Sequence, residues 1–181
     1  MDHQKERNAN MKTEKLNFYL LKDTGLIAKG IGYHYWIYFN YKWEEDTESI
    51  VSDKLNGFDS SEPEDSPYAF GSTSVMDEIE EISYEEAMNL LADQIVYNLI
   101  YKWSEDFKER KAEWDQNPEW PAKHVETSFC LFGNRYTLTA DDLGLSEDSW
   151  DEGFMETIQK DMEKDLARVG ATEISSIGFL D

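Results

Sequence analysis

From Tyr33 to Lys42 the chain alternates without interruption: Tyr33, Tyr35, Ile37, Phe39 and Tyr41 at odd positions, His34, Trp36, Tyr38, Asn40 and Lys42 at even ones. A repeat of two places successive side chains on opposite faces of an extended strand, whereas a helix would scatter them around its axis. Aromatic and β-branched side chains suit that pleated surface. Residues 16–22 carry a similar strand pattern, and Asp23-Thr24-Gly25 has turn chemistry. Residues 16 to about 43 are therefore predicted to form a hairpin with a long second arm. A strand aromatic on both sides is expected to bury most of one face, and the other is open for binding or for a homodimer.

Helical spacing takes over further along. Ser83-Tyr84-Glu85-Glu86 has the form of a capping box, with Glu86 three residues after Ser83. Ala87, Leu91, Ile95 and Leu99 then recur at intervals of four, flanked by Ala92, Val96, Ile100, Trp103 and Phe107, and the helix should stop before Asn117-Pro118. Residues 127–131 and 135–139 read as a second hairpin around Gly133-Asn134. A second helix should begin near Ser146 or Ser149, with Trp150, Phe154, Ile158, Met162, Leu166 and Val169 as its buried stripe and Gly170 after its end. Residues 174–180 suit an edge strand, and Ile50-Val51 a short one. The expectation is an α+β fold in the order ββ(β)αββαβ, an antiparallel sheet of about five strands with two main helices packed on one face. Residues 1–12 read as a flexible tail, with Met11 as a second potential start. Residues 13–181 read as a single domain with an acidic loop at about 56–74.

Charge narrows the function classes. The 181 residues hold 39 acidic and 17 basic side chains, a net of −22. The imbalance is segregated: residues 1–42 are net positive, whereas residues 43–101 carry sixteen acids against Lys54 alone. Blocks of like charge repel one another and weaken the compact state, so tolerating them calls for a reason. Seven acids lie between Asp77 and Asp93. On a helix that stretch would span about 25 Å, roughly one charge per 3.6 Å, close to the ~3.4 Å per phosphate of a DNA strand. The structural reading beside it is local: acids in a first helical turn are stabilised by the helix dipole, and exposed acids aid solubility.

Chemistry-bearing motifs are sparse. Neither G-x-G-x-x-G nor G-x-x-x-x-G-K-[ST] occurs, so no phosphate-cradling loop is expected. A net of −22 repels phosphates, which disfavours direct nucleic-acid binding. Cys130 is the only cysteine, and Phe129-Cys130-Leu131 reads as core packing rather than as a nucleophile served by His34 or His124. The acidic clusters lack calcium-loop spacing, and a metal nuclease would want basic residues beside them. No cofactor and no metal are expected. No stretch approaches the ~18 apolar residues of a membrane span and the N-terminus lacks a hydrophobic signal core, so a cytoplasmic protein without membrane contact is expected.

The resulting expectation is a non-enzymatic acidic inhibitor that binds a basic nucleic-acid-binding protein or nuclease. Its partner-binding residues would be Glu44, Glu45, Asp46, Asp77, Glu78, Glu80, Glu81, Glu85 and Glu86, with Asp148, Asp151 and Glu152 as a second row. In size, charge and aromatic content the chain is similar to the DNA-mimic proteins that phages and mobile elements use against restriction and CRISPR nucleases. That resemblance implies inhibition by occupying a groove built for phosphates. The alternatives are an immunity protein against a nuclease toxin, a carboxylate-metal or Cys130 hydrolase, and an acidic adaptor whose charge serves solubility alone.

Overall fold

The computed structural model describes residues 15–58, 71–114, 120–121, 125–143, 149–150, 152–175 and 178–179. The elements are β1 (Leu16–Leu21), β2 (Leu26–Ile31), β3 (His34–Phe39), β4 (Lys42–Glu45), α1 (Ile50–Leu55), α2 (Thr73–Met76) and β5 (Ile79–Ile82). They continue with α3 (Tyr84–Trp114), β6 (Trp120–Pro121), β7 (Val125–Leu131), β8 (Asn134–Thr139), β9 (Ser149–Trp150), α4 (Glu152–Arg168) and β10 (Gly178–Phe179). The fold is α+β, with elements in the expected order. A five-stranded antiparallel sheet runs β4-β3-β2-β1-β5, and a smaller one runs β10-β7-β8. All five strands of the larger sheet thus come from the first half of the chain, and the later hairpin builds its own sheet. The chain divides into two compact units, residues 1–87 and 88–181.

In the first unit the predicted long arm is broken twice. Gly32 (φ +62°) turns the chain after β2, and Asn40 and Tyr41 (φ +50° and +65°) turn it after β3. Paired positive φ values make the second a type I′ turn, whose twist matches the flanking strands. A two-residue turn also reverses parity: Ile31 pairs with His34 and Phe39 with Lys42. Lys42 therefore lies on the face of Phe39, and Trp43 joins Trp36 and Tyr38, contrary to the simple odd-even reading. Tyr33 and Tyr41 leave the strand faces altogether, each lying in a turn.

One face of the sheet buries Tyr19, Leu21, Ala28 and Ile79 against Val51 of α1, with Leu26, Ile37, Ile50 and Leu55 packed around them. Residues 50–51 are helical rather than extended because Asp46 caps them: its two carboxylate oxygens accept the Ile50 and Val51 N–H groups at 3.0 and 2.8 Å. After α1 the chain closes on itself. Gly71 N–H donates to Asn56 O and Ser72 N–H to Gly57 O, at 3.2 and 3.0 Å. Of the predicted acidic loop, residues 59–70 lie outside the described residues, as does the predicted tail. The stretch from Asp77 is not one helix as the charge spacing assumed. Residues 79–82 form edge strand β5, paired to β1 through Phe18–Ile82 and Leu21–Ile79, and α3 starts only at Tyr84.

Ser83 Oγ accepts the Glu86 N–H at 3.1 Å, the cap its sequence predicts. In the second unit Leu91, Ile95, Leu99, Trp103 and Phe107 are buried along α3, and Ile158, Met162 and Leu166 along α4 with Val169 just after its end, as the periodicity requires. Trp150 belongs to β9 and not to the stripe, because α4 begins at Glu152. The turn of the second hairpin is Phe132-Gly133 (φ +49° and +88°), one residue earlier than expected. The predicted edge strand is realised as β10 beside β7, and Thr172, just ahead of the predicted range, bridges Cys130.

Two helices of this unit meet at Asp165, 6% exposed, whose Oδ2 accepts Lys102 Nζ (2.5 Å) and Trp103 Nε1 (2.9 Å). Burial opposes its charge. The hydrogen bonds from Lys102 and Trp103 and the positive charges of Lys102 and Arg168 outweigh that and hold the carboxyl below its usual range. A lowered carboxyl pKa contributes stability that is complete above the unfolded-state value and fades as pH falls through the folded one. Thermal unfolding should therefore lose stability below pH ~4 more steeply in the native protein than in Asp165→Asn. Gly57 supplies a second check: at φ +68° an added Cβ would stand 2.7 Å from Ser72 N and O. Gly57→Ala should cost about 1–3 kcal/mol in urea unfolding.

Candidate functional site

The acidic residues that read as one block in sequence are divided by the fold between the two edges of the five-stranded sheet. Glu44 and Glu45 lie on β4 with Asp46 just after it, whereas Glu80 and Glu81 lie on β5, with Asp77 and Glu78 before it and Glu85 and Glu86 after it. Four inter-strand steps of about 4.8 Å separate the edges by roughly 19 Å.

Their environments differ as much as their positions. Lys42 pairs with Glu44 at 2.9 Å and Lys22 with Glu80 at 2.9 Å, both at the surface. Asp46 is spent on the amides of α1, and Asp93 accepts the Tyr136 hydroxyl at 2.8 Å. Burial and that bond to a carboxylate push the Tyr136 phenol up to about 12. Glu78 accepts Lys54 Nζ at 2.5 Å, and Asp23 holds the same ammonium at 3.0 Å. Burial alone would lower the Lys54 pKa, but these two carboxylates raise it above the ordinary lysine value. The one base of residues 43–101 is therefore turned inward, with 13% of its side chain exposed.

What remains outside is uncompensated. Glu45, Asp77, Glu81, Glu85 and Glu86 are exposed, and none takes part in an ion pair among the described residues. At the β5–α3 corner Asp77, Glu81, Glu85 and Glu86 flank Tyr84 along the chain; Tyr84 is 65% exposed, and its ring stands edge-on to Phe18 with centroids 5.5 Å apart. Tyr84 was legible in the sequence only as a capping-box residue; its exposure follows from its place in the first turn, off the buried stripe. Asp148 and Asp151 lie outside the described residues, and Glu152 is placed only as the first residue of α4.

No family model, curated protein or solved structure matches this chain. Among the described residues no three His, Cys, Asp or Glu side chains gather to hold a metal ion, and no helix is long and apolar enough to cross a membrane. Cys130 is not core, as its neighbours suggested. Strand alternation buries Phe129 and Leu131 and turns Cys130 to the other face, where its Sγ donates to Glu173 Oε2 at 3.4 Å beside Arg135. Arg135 in turn pairs with Glu173 at 2.8 Å and holds that carboxyl below its usual range.

Adjacent acids should thus separate by role. Asp46→Ala should lower unfolding stability by about 1 kcal/mol through loss of the α1 cap. Glu45→Gln, one residue earlier, should stay within about 0.5 kcal/mol of the native protein in the same denaturation experiment.

Proposed function

We propose that this protein is a non-enzymatic acidic inhibitor that docks on a basic nucleic-acid-binding protein or nuclease. Its carboxylates would take the positions that phosphates occupy in the partner's groove. The single observation carrying this reading is the partition of charge in the first unit. The acid-rich segment keeps its only lysine inside, between Asp23 and Glu78, and leaves Glu45, Asp77, Glu81, Glu85 and Glu86 exposed and outside every ion pair among the described residues. A surface of that kind attracts a basic partner over long range, speeds association, and loses affinity as salt rises. An inhibitor of restriction or CRISPR nucleases fits the reading, and so does an immunity protein against a nuclease toxin, which uses the same physics.

Affinity capture from a bacterial lysate, eluted by a salt gradient, supplies the partner, and competing DNA or RNA should release it. Combining Asp77→Asn with Glu81→Gln, Glu85→Gln and Glu86→Gln should then weaken that partner by more than about tenfold. Each substitution in the first turn of α3 costs no more than about 1 kcal/mol of stability. Unchanged affinity in the folded variant would remove the acidic corner from the mechanism.

A further inference from the structure

The five-stranded sheet carries a second feature that the acidic corner does not use. Reading across strands on one face, Phe18 pairs with Lys29, Lys29 with Trp36 and Trp36 with Glu45, so hydrocarbon, cation, indole and carboxylate stand side by side. Lys29 Nζ sits 4.3 Å from the Trp43 ring centroid and 5.7 Å from that of Trp36. Tyr38 holds Trp43 edge-on at 5.1 Å. The row ends at Glu45, on the edge strand, exposed and outside every ion pair among the described residues.

Because Asn40-Tyr41 is a two-residue turn, Phe39–Lys42 and Ile37–Glu44 are the hydrogen-bonded pairs. Trp36–Glu45 is then the close, non-hydrogen-bonded kind, in which facing side chains approach most nearly. An indole and a carboxylate in that relation offer a cation two complementary surfaces. A guanidinium can lie flat on the ring while its in-plane N–H groups reach the carboxylate, and an ammonium has no such plane. Lys29 shows that this aromatic face already accepts positive charge from within the chain.

We propose that Trp36 and Glu45 form a docking point for an arginine side chain of the basic partner, beside the Lys29 ammonium that already lies over the Trp43 and Trp36 rings. The occupant is argued from charge complementarity at Glu45 and from the cation already seated on the neighbouring ring. The assignment rests on the reading above, that the partner is basic, and adds which side chain is recognised and at which sheet edge.

The test uses the full chain and two synthetic peptides, one alternating arginine with glycine and one alternating lysine with glycine, titrated while tryptophan fluorescence is followed. The arginine peptide should bind more tightly than the lysine peptide. Trp36→Leu and Glu45→Gln should each weaken it by about fivefold or more, with circular dichroism showing each variant folded. Glu45→Gln leaves the ring in place, so it keeps the test decisive if Trp36→Leu disturbs the sheet. Equal affinity for the two peptides, or binding indifferent to Glu45→Gln, overturns the docking point. If binding is instead lost in the Asp77, Glu81, Glu85 and Glu86 variant alone, the inhibitor reading stands and only this assignment falls. If neither peptide binds and no basic partner is captured, both fall.

Discussion

A single ammonium sets the terms for the first unit. Lys54 closes α1 and reaches both Asp23, in the turn between β1 and β2, and Glu78, just ahead of β5. Removing a cation from water is costly, and one carboxylate seldom repays the cost when the pair is buried. Two carboxylates that remain partly in solvent shift the balance, as the raised Lys54 pKa records. The contact ties three separate stretches of chain together at one end of the sheet. Without it Asp23 and Glu78 would face each other as like charges, at the point where the edge strand joins. It also fixes the electrostatics of everything outside, because the segment has no second base.

The second unit applies the same rule with the sign reversed. Asp165 is the buried charge, and Lys102 and Trp103 converge on it from α3. Both units thus pair an interior charge closely, and in the first unit Glu45, Asp77, Glu81, Glu85 and Glu86 stay outside every ion pair among the described residues. Solubility alone accounts for scattered surface acids; at the sheet edges Lys42 and Lys22 each serve one acid, and the remaining exposed acids take part in no ion pair among the described residues. A further structural cause acts on β5 itself: an edge strand exposes unpaired backbone groups, and charged side chains such as Glu80 and Glu81 keep a second strand from adding there. That cause covers β5 and stops at Tyr84. It gives no reason for Glu85 and Glu86, whose place in the first turn is favoured by the helix dipole, nor for the exposed aromatic ring between the two groups.

Periodicity made the helices legible. Four-residue spacing from Leu91 to Phe107 and from Ile158 to Leu166 placed both buried stripes, and Ser83 announced its cap. What the sequence concealed was parity and register. The alternation from Tyr33 to Lys42 looks the same whether the chain runs straight or doubles back through two-residue turns, because such turns exchange odd for even without leaving a gap. Asn40-Tyr41 hid best, since an aromatic residue at positive φ lacks the glycine signature of a type I′ turn. Residues 50–51 look like a strand in sequence, yet their helix owes its start to Asp46, four residues earlier, and not to their own β-branched side chains. The acidic site was legible as charge, but not as geometry. Segregation along the chain is visible by counting, whereas division between two sheet edges depends on strand order, which no count contains.

That division governs how the charge can act. At physiological ionic strength the screening length is about 8 Å, and the two edges stand roughly 19 Å apart. Charges at one edge are therefore largely invisible at the other once solvent ions intervene, and they work as two patches rather than one field. A partner touching only the β5–α3 corner would meet Glu81, Glu85 and Glu86 around Tyr84; one touching only β4 would meet Glu45 beside Trp36. Each patch couples carboxylates to a partly exposed ring, a combination that suits arginine better than a phosphate-binding surface built from lysines alone. On the proposed reading, broad acidity would bring a basic surface near, and the paired rings and carboxylates would decide which surface stays.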